Sequence, residues 1–240
     1  MGIFADCGVD QITHYAPLHY LIFIARSKSL LCKPSIREAG FPAKHFRSMS
    51  NGQDEARGFG AYAFLTLDRK PRILQAKLAA GFPHIGLIVP AAAVERTNFS
   101  LCRYNVAMTR YLRRNGNKGF PESTVNGRYY GDHQIPIAKS ETEKRAMLEY
   151  YAESDVMIEV LVHGDLPLPD DTTIVCYSDA DAKIAQSVLS TAKIRWDVTT
   201  ALPPGSYPRD ANYVTSVLKF LERAIANPDW RGDGLEFDRV

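Results

Sequence analysis

Cysteine is scarce and scattered: Cys7, Cys32, Cys102 and Cys176 are the four in 240 residues, and no two form a C-x-x-C pair. That spacing excludes a zinc ribbon, a redox dithiol and a disulfide-stapled scaffold, and a reducing, cytoplasmic setting is expected. Long apolar runs are also missing. Leu21-Ile22-Phe23-Ile24-Ala25 is far short of a bilayer span and follows Asp6 and Asp10, so no membrane partner is expected. No charge of one sign dominates, since 29 Lys+Arg against 27 Asp+Glu leave a net charge of +2. With 45% hydrophobic and 23% charged residues, neither a disordered chain nor a coiled coil fits. The six histidines show no H-E-x-x-H or comparable spacing, so no metal is expected, and neither a G-x-x-x-x-G-K-[ST] loop nor a G-x-S-x-G elbow occurs.

What is present reads as one α+β domain. Gln11 to His14 forms a short strand, and a helix is expected from about Ala16, with Pro17 in its first turn and Leu18, Leu21, Ile22 and Ala25 on one face. Lys33 to Gly60, rich in Pro, Gly, Ser and Asn, reads as a long, partly helical loop. Ala61 to Leu67 is a strand, Pro71 opens a helix through Ala79 with Gly81 as its left-handed cap, and Ile85 to Val89 is a buried strand. From Arg96 to Lys118 there are six basic residues and no acid, and Leu101, Tyr104, Met108, Tyr111 and Leu112 fall at helical spacing. An amphipathic helix is expected there, with Arg103, Arg110 and Arg114 along a cationic stripe and Arg113 beside it. A loop runs through Pro136, and Ser140-Glu141-Thr142-Glu143 is a capping box. Strands Val156 to Val162 and Thr172 to Tyr177, a helix from about Ala180 to Leu189 and a final helix through Val214 to Ile225 complete the chain.

Few residues carry chemistry. Gly58-Phe59-Gly60-Ala61-Tyr62-Ala63 fits G-x-G-x-x-A, but a polar loop precedes it and a strand-like run follows, so no helix amides would meet a pyrophosphate; a dehydrogenase reading is rejected. Glu159 interrupts the apolar run Val156-Met157-Ile158-Glu159-Val160-Leu161-Val162. A carboxylate there is either a costly buried group with a task or an edge residue in water. Asp68-Arg69-Lys70-Pro71-Arg72 puts cations at a strand-to-helix junction, which favours anions or is simply a solvated loop. His14, at a strand end, is by itself as readily structural.

In order along the chain, Ile12-Thr13-His14, then Arg69-Lys70-Pro71-Arg72-Ile73-Leu74 after an aromatic strand, then Ile158-Glu159-Val160-Leu161-Val162-His163 resemble the DarT-like ADP-ribosyltransferases over roughly three quarters of the chain. Those begin with an I-T-H strand, carry an R-S-P-M-L-like junction and place the catalytic glutamate in an A-E-(F/V)-L-V segment. Here Met157 or Ile158 stands in place of the small residue before the glutamate, and the junction arginine is Arg69 or Arg72.

The resemblance implies a single domain of split, mixed sheets flanked by helices, with a core over about 10–190; a helical extension over about 205–240 lies beyond the part it covers. It also implies NAD as substrate and no metal. Glu159 would stabilise the sugar cation formed when nicotinamide leaves, and Arg69 or Arg72 would hold the diphosphate. Thr13 and His14 would contact the ribose or amide end, with Tyr62 or Phe64 stacked on nicotinamide. Lys33 to Gly60 would be a lid and Asn126 to Asp155 the acceptor-presenting segment. The acceptor would be a base in single-stranded nucleic acid, DNA favoured, with Arg103, Arg110, Arg113 and Arg114 tracking phosphates. RNA or protein as acceptor is the nearest rival, and a silent nucleic-acid-binding module is the rival of another class. A toxin or phage-defence role with an antitoxin partner follows from the resemblance alone.

Overall fold

The computed structural model describes residues 2–39, 58–67, 72–79, 81, 83–103, 126–130, 133–153, 157–201, 211–227 and 229–230. In chain order its elements are α1 (Ile3–Asp6), β1 (Gln11–Pro17), a 3-10 turn (Leu18–Tyr20), α2 (Leu21–Ser27), β2 (Ser29–Leu30), α3 (Lys33–Glu38), β3 (Tyr62–Leu67), α4 (Arg72–Ala79), β4 (His84–Pro90), α5 (Ala91–Glu95), β5 (Phe99–Arg103), β6 (Asn126–Tyr130), β7 (His133–Ala138), α6 (Glu141–Glu153), β8 (Ile158–His163), β9 (Leu166–Pro167), β10 (Thr173–Cys176), α7 (Asp179–Ala192), β11 (Asp197–Thr200) and α8 (Ala211–Ala226).

Nine strands form one sheet in the order β11-β10-β4-β1-β3-β8-β5-β7-β6, and β2 pairs with β9 apart from it. Among the described strands of the large sheet β10 and β11 run parallel and the other neighbours antiparallel. Its pairing is uneven. β1 pairs with β4 along seven residues and β3 with β8 along six, yet β1 meets β3 at the single rung Thr13 opposite Thr66. The sheet therefore consists of two halves joined at a seam between β1 and β3.

Because side chains alternate along a strand, the sheet has an apolar and a mixed face. Ile12, Leu65, Leu87, Leu101 and Val160 belong to the apolar one and lie in the main core. Each contributes roughly 1.5–3 kcal/mol by leaving water. Against that core pack α2, α7 and α8, while α6 lies on β5 and β7. Phe220 of α8 meets Phe23 of α2 edge-on at 5.7 Å and His19 at 5.5 Å. Arg26 donates to carbonyls at the carboxyl end of α8, those of Ala224 and Asn227, and to that of Trp230. Such a cation satisfies main-chain acceptors that a helix end leaves over.

Local signals in the sequence stop and start the helices. Ser140 and Glu143 exchange bonds in the expected capping box, Glu143 N to Ser140 Oγ at 3.3 Å and Ser140 N to Glu143 Oε2 at 3.0 Å. Gly81 takes φ +85° and returns its amide to Leu78 O, closing α4.

Several expectations change. The first strand continues to Pro17, and the α-helix starts only at Leu21, because β1 finds a full antiparallel partner in β4 and ladder bonds outweigh local periodicity. The helix expected from Arg96 does not form over Phe99–Arg103, which is strand β5 between β8 and β7. Paired on both sides, that segment obeys a period of two rather than 3.6. The loop expected through Pro136 contains the hairpin β6–β7. Within the expected lid, Lys33–Glu38 is α3; residues 40–57 lie outside the described residues. A strand, not a helix, follows Gly58 and Gly60, in keeping with the rejected dinucleotide motif.

Candidate active site at the seam of the sheet

Register places Thr13, Thr66 and Glu159 of the mixed face in one row. Thr173 of β10 is opposite Ile88 of β4, Ile88 opposite Thr13, Thr13 opposite Thr66, Thr66 opposite Glu159, Glu159 opposite Cys102 and Cys102 opposite Ile137. Directly paired residues share a face, so Thr13, Thr66 and Glu159 stand side by side, each about 5 Å from the next. Glu159 is 7% exposed. Around it on the same face a second apolar cluster gathers Phe59, Cys102, Ile137 and Leu161, with Tyr62 and Phe64 packed against them. A carboxylate thus projects from an aromatic and aliphatic surface, where charge interactions are stronger than in water.

Tyr62 and Phe64 come to this face because β3 alternates: Tyr62, Phe64 and Thr66 are half-buried there, and Ala63, Leu65 and Leu67 point into the core. Phe64 is opposite Leu161 and Tyr62 opposite His163, whose ring it meets edge-on at 5.1 Å. Cys102 lies beside the carboxylate. Burial, reinforced by the Glu159 charge, pushes its thiol well above the ordinary range.

Thr13 and His14 are separated by alternation. Thr13 shares the Glu159 row, whereas His14 turns the other way and reaches across the seam, with Nδ1 2.6 Å from Phe64 O. A carbonyl only accepts, so Nδ1 carries the proton, and Nε2 of the neutral ring is left as acceptor. Burial lowers the imidazole pKa, and the bond to Phe64 opposes this only in part, which keeps the ring neutral near pH 7.

On the far side of Thr13 the mixed face is aromatic again. Gly86 of β4 lies opposite Tyr15 of β1. A Cβ there would lie 3.2 Å from the Tyr177 hydroxyl and 3.6 Å from both Thr13 and Tyr15. Glycine here makes room for the phenol. Burial, with Tyr15 beside it, holds that phenol well above its ordinary pKa, so it is neutral.

The remaining expected residues are elsewhere. Arg72 is the first residue of α4, and Arg69, Arg110, Arg113 and Arg114 lie outside the described residues. Arg103, placed on the cationic stripe from helical spacing, is 4% exposed on β5 and stacks over the Tyr150 ring at 4.7 Å while donating to its hydroxyl at 3.0 Å. Sequence reasoning missed Thr66, Phe59 and Cys102 as neighbours of Glu159. The parity of Thr66 with Tyr62 and Phe64 could have found the first, and the alternation in Phe99-Ser100-Leu101-Cys102-Arg103 the last; Phe59 has no such signal. Among the described residues no three His, Cys, Asp or Glu side chains gather to hold a metal ion, and no helix is long and apolar enough to cross a membrane.

No protein-family model matches the chain, and no curated protein matches it by sequence. Solved structures do. Thermus sp. 2.9 DarT in complex with ADP-ribosylated ssDNA is similar with a TM-score of 0.53 at 15% identity, over 80% of this chain and 94% of that one. The same protein in complex with NAD+ gives a TM-score of 0.47 at 14% identity, over 80% and 95% of the two chains. In complex with carba-NAD+ it gives 0.44 at 15% identity, over 81% and 95%. On the first of these, the chain has a DarT-like α+β fold.

Proposed function

We infer that this protein is an NAD-dependent ADP-ribosyltransferase that modifies a base in single-stranded DNA. The observation that carries the reading is Glu159, buried on an apolar strand beside Thr66 and Thr13 at the seam of a DarT-like fold. The structural neighbour's bound ADP-ribosylated ssDNA supports the choice of donor group and acceptor.

In the proposed reaction the bond between ribose C1 and nicotinamide nitrogen breaks, and its electron pair leaves with nicotinamide. The sugar becomes oxocarbenium-like, and the Glu159 carboxylate stabilises that charge while accepting a hydrogen bond from a ribose hydroxyl. The acceptor base supplies the electron pair of the new bond to C1 and gives up its proton to Glu159. Nicotinamide stacks on Phe64 or Tyr62, and His14 Nε2 accepts from a ribose hydroxyl of NAD. Arg69 or Arg72 neutralises the diphosphate at the β3–α4 junction. Arg110, Arg113 and Arg114 supply phosphate contacts to the strand. A toxin or phage-defence role held in check by an antitoxin belongs to the same reading.

The test is Glu159→Gln, which keeps shape and removes charge. Transfer of labelled ADP-ribose to ssDNA is expected to fall about 10²–10³-fold with NAD binding and melting temperature little changed. A variant that transfers at the parental rate would remove Glu159 from the chemistry, and a parent that modifies RNA or protein but not DNA would change the acceptor.

A further inference from the structure

We propose that Thr66 binds substrate, its hydroxyl oxygen accepting a hydrogen bond from the second hydroxyl of the nicotinamide ribose while Glu159 accepts from the first. The inference rests on the function proposed above and adds a residue to it. Three observations carry it.

Thr66 is the one residue paired with both Thr13 and Glu159, so it occupies the middle of the polar row exactly where the two half-sheets join. Among the described residues, Phe64 of its own strand and Leu161 of β8 adjoin it on that face. A sugar ring seated over Glu159 therefore finds Thr66 as the adjoining polar group, about 5 Å away along the row.

The hydroxyl is also oriented. Thr66 Oγ1 donates to Ile158 O at 3.4 Å, which directs its hydrogen toward β8. A threonine oxygen that gives its hydrogen to main chain still offers two lone pairs. It then acts as an acceptor, as the carboxylate does, and two acceptors side by side suit two vicinal hydroxyls that each donate. Half-burial on a strand, with β-branching restricting χ1, fixes this oxygen before substrate arrives.

Thr66→Val keeps the branched shape and strand preference and removes only the oxygen. It is expected to lower kcat/KM for NAD about tenfold, with Thr66→Ser recovering most of the loss. A purely structural Thr66, valued for its bond to Ile158, could lower activity too. The deciding measurement repeats the comparison with two NAD analogues, each lacking one hydroxyl of the nicotinamide ribose. If Thr66 holds one hydroxyl, the valine penalty disappears with the analogue lacking that group and persists with the other. A penalty that persists with both analogues, or no penalty with NAD itself, overturns the assignment while leaving Glu159 and the reaction intact. A parent that neither binds nor turns over NAD overturns the reading of the whole site, and Thr66 with it.

Discussion

His14 offers the sharpest test of the seam, because its two ring nitrogens do separable work. His14→Ala deletes the Nδ1 donor to Phe64 O, a bond of 2.6 Å between the two half-sheets. Losing a neutral hydrogen bond costs about 1 kcal/mol, and leaving a half-buried carbonyl without its donor raises this to about 2 kcal/mol. For a chain of this size each kcal/mol moves the midpoint by roughly 2–4 °C, so His14→Ala should melt about 2–8 °C below the parent. His14→Asn sets an amide N–H near the position of Nδ1 and should recover most of that stability while still lacking Nε2. Both variants should lose NAD turnover. Stability has a pH signature as well. Burial lowers the folded-state pKa below the ordinary 6.5, so the unfolded chain binds the proton more readily and stability rises with pH between the two values. The histidine's contribution is complete above about pH 6.5 and is lost as pH falls through the lower, folded value. The gap between parent and His14→Ala should therefore narrow on acidification from pH 7. Calorimetric scans from pH 7 to pH 5 give both quantities. Equal melting of parent and His14→Ala at every pH would show that the imidazole does not tie the halves together.

Two further outcomes are expected. Gly86→Ala should cost about 1–2 kcal/mol by urea titration, since its Cβ meets the Tyr177 hydroxyl at 3.2 Å, and adding Tyr177→Phe should return part of it; additive losses would show that the crowding lies elsewhere. Replacing Arg110, Arg113 and Arg114 together by Gln should flatten the salt dependence of ssDNA binding by about 0.7 log units per lost phosphate contact, leaving NAD hydrolysis unchanged; an unaltered slope assigns those charges to solvent.

Glu159 could be singled out from sequence because a carboxylate within an apolar strand is a local anomaly, visible without knowledge of the sheet. The capping box at Ser140 and the glycine closing α4 were legible for the same reason, since their physics is confined to a few residues. Register is not local. That Thr66 stands between Thr13 and Glu159 depends on three strands drawn from distant parts of the chain. β5 shows the opposite failure: Leu101, Tyr104 and Met108 satisfy a helical period, and only pairing with β8 and β7 decides for a strand. Arg103, expected for that reason on a cationic stripe tracking phosphates, stacks instead on Tyr150. Thr13 and His14 are neighbours in sequence and share one expected role, whereas adjacent residues on a strand face opposite ways.

The seam bears on how freely such a protein can change its sequence. A joint held by side chains is lost when those side chains drift, but one where two strands meet at a single rung is a property of the main chain. Any residues that keep β1 on β4 and β3 on β8 will keep the seam between them, so selection for it acts on strand pairing as a whole and only lightly on individual positions. Substitutions along the seam are then tolerated while β3 and β8 continue to hold Glu159 beside Thr66. Divergence of sequence without divergence of architecture is the evolutionary path that this construction favours.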